Sequence, residues 1–236
     1  MIVSGLEFNY PPLGIVHVTV RYNSRHISAR WREGKVYLNV PYGVSEEEVM
    51  KALASFVPKL MDKRPKILYY DGQVLEFEGL TITIKHQSHS PRQIIAQAHL
   101  PHSVIEVGSE MDFNNSDVAQ SVSKMMCRIA QRLAANILLP RARELAHSVG
   151  KTPVGWTISN GHRVLGRCGS DGVIALSYVL VFLPQQLRDY VIFHELAHLS
   201  EMNHSARFHE LCNKYCGGRE SALIAELHKY QWPIYK

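Results

Sequence analysis

The stretch "YVIFHELAHLSEMNH", residues 190–204, sets two histidines and a glutamate inside an otherwise apolar run. An α-helix turns once every 3.6 residues, so His194 and His198 fall on one face, one turn apart. Val191, Ile192, Phe193, Leu196, Ala197 and Leu199 make the segment apolar nearly all round, so it reads as a buried helix. Ionisable groups in such a helix need partners. A cation shared by both imidazoles supplies one. Glu195 projects about 100° around the axis from His194. From there its carboxylate can reach a water on the cation without becoming a ligand itself. The spacing His-Glu-x-x-His is the pattern of metal-assisted hydrolysis, with the glutamate as general base.

A catalytic zinc takes three protein ligands and keeps one position open. His204 provides the third if the helix ends near Met202 or Asn203 and the chain turns back. Asn203 suits that reversal, because asparagine tolerates the left-handed conformation that ends helices. Glu201 is the rival ligand, since it shares the face of His194 and His198 if the helix persists; His204 is favoured. The expected site is therefore Glu195 as catalytic base, with His194, His198 and His204 holding Zn2+.

Working outward, the chain has 236 residues, 46% hydrophobic and 20% charged, with a formal net charge of +5. That composition is globular and argues against wholesale disorder. The charge permits an acidic partner without requiring one. "MIVSGLEFNY" (1–10) has neither a basic start nor an apolar core, so no secretory signal is expected. The longest apolar run, Val173 to Leu183, is too short to span a bilayer. Four cysteines read as reduced thiols, which points to the cytoplasm. Cys212 and Cys216 sit four apart, but no second pair lies at a zinc-binding spacing.

The expected fold class is α+β: a β-rich region over 1–110 and a zincin-like core over 111–236. Strands are expected at 14–22, 26–31 and 35–40, with turns at Asn23-Ser24 and Glu33-Gly34. Ser45 with Glu48 forms a capping-box pattern opening a helix over 46–60. Further strands read at 73–79, 80–87, 93–100 and 103–108. A long helix opens at Ser116 and runs to His147, kinked or split at Pro140. Strands at 154–159, 162–168 and 172–184 precede the histidine helix, read as Tyr190 to Met202. Ser205 caps a helix to Tyr215, and Glu220 to Tyr230 forms the last. No internal repeat is visible. Lys124, Arg128 and Arg132 recur every four residues on the long helix and read as a solvated face, with a nucleic-acid stripe as the alternative.

The run "DYVIFHELAHLSEMNHSARFHEL" (189–211) resembles the HELxHLxxxNHSxxFW segment of the YgjP-like metal-dependent hydrolases, relatives of the WLM and SprT-type zinc metallopeptidases. "RHISARWREGKVYLNVPYGVSEEEV" (25–49) and "ALSYVLVFLPQQLRDYV" (175–191) are similar to that family's amino-terminal strands and to its lead-in to the zinc helix. The resemblance implies a gluzincin-like core. It places the zinc ligands at His194, His198 and His204, and the base at Glu195. The chain departs from the family's W-G-S-C-S pattern at "LGRCGSDG" (165–172), where Leu165 replaces the tryptophan and Arg167 a serine. His209 stands where the family often has tryptophan.

A zinc peptidase acting on a peptide or protein substrate is the leading expectation. "GVIALSY" (172–178) is the strand expected to pair with substrate, with Arg167, Cys168 and Tyr178 as candidate substrate-binding residues. Cys168 could also block the metal as a thiolate. Tyr178, His162, Arg163 and Arg167 are open alternatives for steadying an oxyanion. Two other functions remain open: a protease acting on DNA-bound protein, and a non-catalytic zinc-containing interaction domain. No membrane partner is expected.

Overall fold

The computed structural model describes residues 4–32, 35–62, 69–113 and 115–235. The turn expected at Glu33-Gly34 lies outside them, as does the side chain of Ser116. The chain divides into two units, residues 1–68 with 112–120, and residues 69–111 with 121–236.

In the first unit, β1 (Glu7–Tyr10), β2 (Gly14–Arg21), β3 (Ser28–Arg32) and β4 (Lys35–Pro41) precede α1 (Glu46–Asp62). The strand order is β1-β2-β4-β3, with β2 and β4 parallel and both outer strands antiparallel to their neighbours. Alternation sends Val16 and Val18 of β2, and Val36, Leu38 and Val40 of β4, into a core closed by Val49, Leu53 and Leu60 of α1. The capping box forms as expected: Glu48 N–H donates to Ser45 Oγ at 3.3 Å, and Ser45 N–H donates to Glu48 Oε2 at 3.0 Å.

The second unit begins with β5 (Gln73–Phe77), β6 (Leu80–Gln87), β7 (Ile94–Gln97) and β8 (His102–Gly108). They pair in the order β5-β6-β8-β7, again with a parallel central pair and antiparallel edges. The α2 helix (Ser116–Ser148) follows, and Pro140 does not split it. The third sheet has β9 (Gly155–Ser159), β10 (Gly166–Cys168) and β11 (Val173–Ser177), in the order β10-β11-β9. There β9 and β11 are parallel, and β10 is antiparallel to β11. All three sheets thus share one topology, the third lacking the first strand. The likeness lies in the pairing, which is why no sequence repeat announces it.

The expected strand over 172–184 is instead β11 followed by a 3-10 turn, Tyr178–Phe182. Ser177 Oγ accepts from Val179 N–H at 3.3 Å and opens that turn. The histidine helix, α3 (Gln185–His198), begins earlier than its apolar pattern indicates. Two consecutive residues fix its start. Arg188, 2% exposed, donates to the carbonyls of Leu180, Val181, Leu183 and Glu78 at 3.1–3.4 Å. Asp189 accepts a two-pronged pair from Arg141 of α2, at 3.1 and 2.7 Å. The α4 (Ala206–Tyr215) and α5 (Glu220–Lys229) helices pack on α3. Among the described residues, no helix is long and apolar enough to cross a membrane, and all four cysteines are free thiols.

Candidate metal centre

The α3 helix stops at His198, four residues before the expected end at Met202. Backbone N–H groups of Ser200 and Glu201 both turn onto the Ala197 carbonyl, at 3.0 and 3.1 Å. The His198 ring then takes the chain's next polar group, with Nδ1 3.0 Å from the Glu201 carbonyl. A helix carried further would hold that carbonyl along its own axis. Here it faces the ring and the chain reverses. Ser205 caps α4, accepting from Phe208 N–H at 3.2 Å, and His204 stands just before that cap.

This brings the three histidines together. One ring nitrogen from each of His194, His198 and His204 lies within 4.8 Å of the others. Phe208, fully buried, forms a floor beneath all three rings, with centroids at 4.9, 4.5 and 4.8 Å. Glu201 stays outside the cluster, its carboxylate paired with Arg207 at 3.0 Å.

The donor set fits a cation. The Nδ1–H of His198 is committed to a carbonyl, which leaves Nε2 as the bare donor. The Nε2 atoms of His194 and His204 face each other at 3.0 Å, where two lone pairs repel unless a proton or a metal lies between them. Among the described residues, the buried His194 Nδ1 has no hydrogen-bond partner. Burial, reinforced by the neighbouring positive charges of His198, His204 and His209, lowers the His194 pKa to about 4. His198 is lowered too, mainly by burial. Neutral imidazole is the form that binds metal.

Glu195 lines a cleft of about 220 Å³ with Leu165, Gly166, Tyr190, Val191, His194 and Leu227. Burial raises its carboxyl to about 7, partly offset by a hydrogen bond from the Cys168 backbone. The α-carbon of Gly166 lies against this side chain: a Cβ there would stand 2.5 Å from Glu195 Oε1. Sequence reasoning missed Gly166; its one available signal was a glycine inside a strand pattern, which marks close approach. It also missed Phe208 as the common floor, and Tyr190, whose ring lies 6.0 Å from that of His194.

Other expectations need correction. The strand proposed to pair with substrate, β11, is central and bonded on both sides; β10 is the edge strand beside Glu195. Tyr178 does not line the cleft. It is 3% exposed in the 3-10 turn and hydrogen-bonds with Cys127. Cys168 faces the α3 side, but burial, then the charges of Glu195 and Asp171, push its thiol up, so a blocking thiolate is disfavoured. Arg167 pairs with Ala175 in the ladder, whereas Gly166 and Cys168 pair with Leu176 and Ile174. The Ile174 and Leu176 side chains are buried, so Arg167 projects from the opposite face, with His162 and Arg163 exposed nearby in the β9–β10 loop.

The sequence profile of the YgjP-like metallopeptidase domain matches residues 25–224. The chain belongs to this family. The YgjP-like match spans most of the chain and includes the three histidines, Glu195 and Gly166. Membership supports a metal-dependent hydrolase of the peptidase class, with zinc the typical metal. Neither a curated protein nor a solved structure gives a significant match.

Proposed function

We propose that the chain is a zinc-dependent peptidase in which His194, His198 and His204 hold the metal and Glu195 is the general base. The observation that carries this reading is the convergence of the three imidazoles, one ring nitrogen of each within 4.8 Å of the others, beside a buried Glu195 carboxylate that lines the same cleft as His194. Zinc bound there supplies Lewis-acid polarisation of the scissile carbonyl and lowers the pKa of water. Glu195 takes a proton from the attacking water and later delivers it to the departing amine. A carboxylate held beside the reacting water suits both transfers. Gly166 and the Cys168 N–H fix where that carboxylate stands.

Substrate lies extended along the outer edge of β10. Gly169 N–H and the Leu165 carbonyl bond to β11, so strand alternation turns both polar groups of Gly166 and the Cys168 carbonyl outward, while the Cys168 N–H is taken by Glu195. An added peptide strand pairs there, beside Glu195. The test is zinc content near one per chain, together with cleavage of a peptide library that Glu195→Gln abolishes. Zinc binding without Glu195-dependent cleavage would favour a non-catalytic zinc-containing domain.

A second reading, a protease acting on DNA-bound protein, draws on Lys124, Arg128 and Arg132. All three are exposed on α2, and none has a carboxylate partner among the described residues. It requires DNA binding at low salt that weakens steeply as salt rises.

A further inference from the structure

We infer that the β10 edge selects peptides carrying acidic side chains at alternate positions, read by Arg167 and Arg163. This rests on the reading of β10 as the substrate-binding edge.

Two hollows flank this strand. One is the cleft holding His194 and Glu195. The other, about 670 Å³, is lined by Ser159, His162, Arg163, Val164, Arg167 and Ala175 among others. Gly166 lines both. Among the described residues, no aspartate or glutamate lines the second hollow. Arg163 and Arg167 are exposed, and neither makes an ion pair among the described residues.

A peptide strand laid against β10 sends successive side chains to opposite faces. One points toward the cleft, and its neighbours point over the cationic hollow. Side chains there meet guanidinium groups with free forks and no competing carboxylate. The complementary group is a carboxylate, which a guanidinium binds with two parallel hydrogen bonds. A phosphate offers the same chemistry, so phosphoserine is the second possible source. Exposed pairs of this kind are individually weak, so two of them give a preference of about three- to thirtyfold.

The test uses zinc-loaded Glu195→Gln protein and fluorescein-labelled peptides with alanine alternating with glutamate, glutamine, lysine or phosphoserine, read by anisotropy. The glutamate peptide should bind at least threefold tighter than the glutamine peptide. The preference should vanish in Arg163→Glu/Arg167→Glu and turn toward the lysine peptide. A phosphoserine peptide binding well above the glutamate one assigns the hollow to phosphorylated segments. Equal binding of glutamate and glutamine peptides overturns the inference while leaving the peptidase reading intact. So does a preference that survives the double substitution, because charge elsewhere then explains it. If no peptide binds and the unsubstituted protein cleaves none, both fall.

Discussion

Gly166 and Glu195 are in contact so close that a methyl group on the glycine would stand 2.5 Å from Glu195 Oε1 and 2.6 Å from its Cγ. The strand therefore acts as a stop against which the carboxylate rests. Gly166→Ala should push the carboxylate aside and leave the histidine cluster alone. The expected result is a loss of about a hundredfold in kcat with zinc content unchanged, since a displacement near 1 Å costs that much. Metal analysis beside a peptide-cleavage assay checks it; equal loss of zinc and of activity would contradict it.

Glu195→Gln should separate catalysis from stability. Cleavage falls by at least 10²- to 10⁴-fold as the base is lost. In the metal-free protein the same change should be stabilising at pH 8. Glu195 is raised from 4.5 to about 7, so the folded chain holds this proton more tightly than the unfolded chain. Wild-type stability from this group is full below about 4.5, declines as pH rises, and levels off above about 7. The variant escapes that decline, worth at most about 3 kcal/mol. The lowered His194 acts in the opposite direction but is present in both proteins, so it cancels. Denaturant unfolding of both chains at pH 4.5 and pH 8 measures the difference.

Phe208→Ala should remove the floor beneath the three imidazoles. Deleting a fully buried phenylalanine costs about 3–5 kcal/mol. Freed rings also lose their pre-set geometry, so zinc affinity should drop about 10- to 100-fold. Phe208→Leu keeps most of the volume and should retain the fold while still weakening zinc. Competition with a chromogenic chelator reads this directly.

Arg188→Met should cost roughly 3 kcal/mol or more, because several buried carbonyls lose a charged donor. The lost bonds hold the start of α3 to the 3-10 turn. The midpoint of urea unfolding should fall, and added zinc should restore part of it.

Chelation itself should lower Tm, in step with the logarithm of the free zinc concentration, since a ligand that binds the folded chain alone stabilises by mass action. An unchanged Tm after exhaustive chelation would mean that the histidine cluster holds no metal.

Local chemistry made much of this legible in advance. The Ser45–Glu48 capping box needs only residues three apart, and His194, Glu195 and His198 are fixed by the period of a single helix. His204 was legible as the third member of the histidine cluster, but the helix end was misplaced, because His198 takes the Glu201 carbonyl with its ring, a choice no propensity encodes. The apolar run from Val173 to Leu183 has no period, so strand and 3-10 turn cannot be told apart within it. The start of α3 was hidden because Gln185, Gln186, Arg188 and Asp189 look like a polar loop; three of them, Gln186, Arg188 and Asp189, are held by groups distant in sequence. Strand order, and with it the identity of the edge strand, depends on pairings between remote segments. The glycine beside the Glu195 carboxylate could not be recognised until that order was known.

The edge strand β10 is only three residues long. On the proposed peptidase reading, a guest chain lying along it would gain very few main-chain bonds, so the grip would be brief and the cut ends would leave quickly. Such a rail would suit loops and tails that already arrive loose.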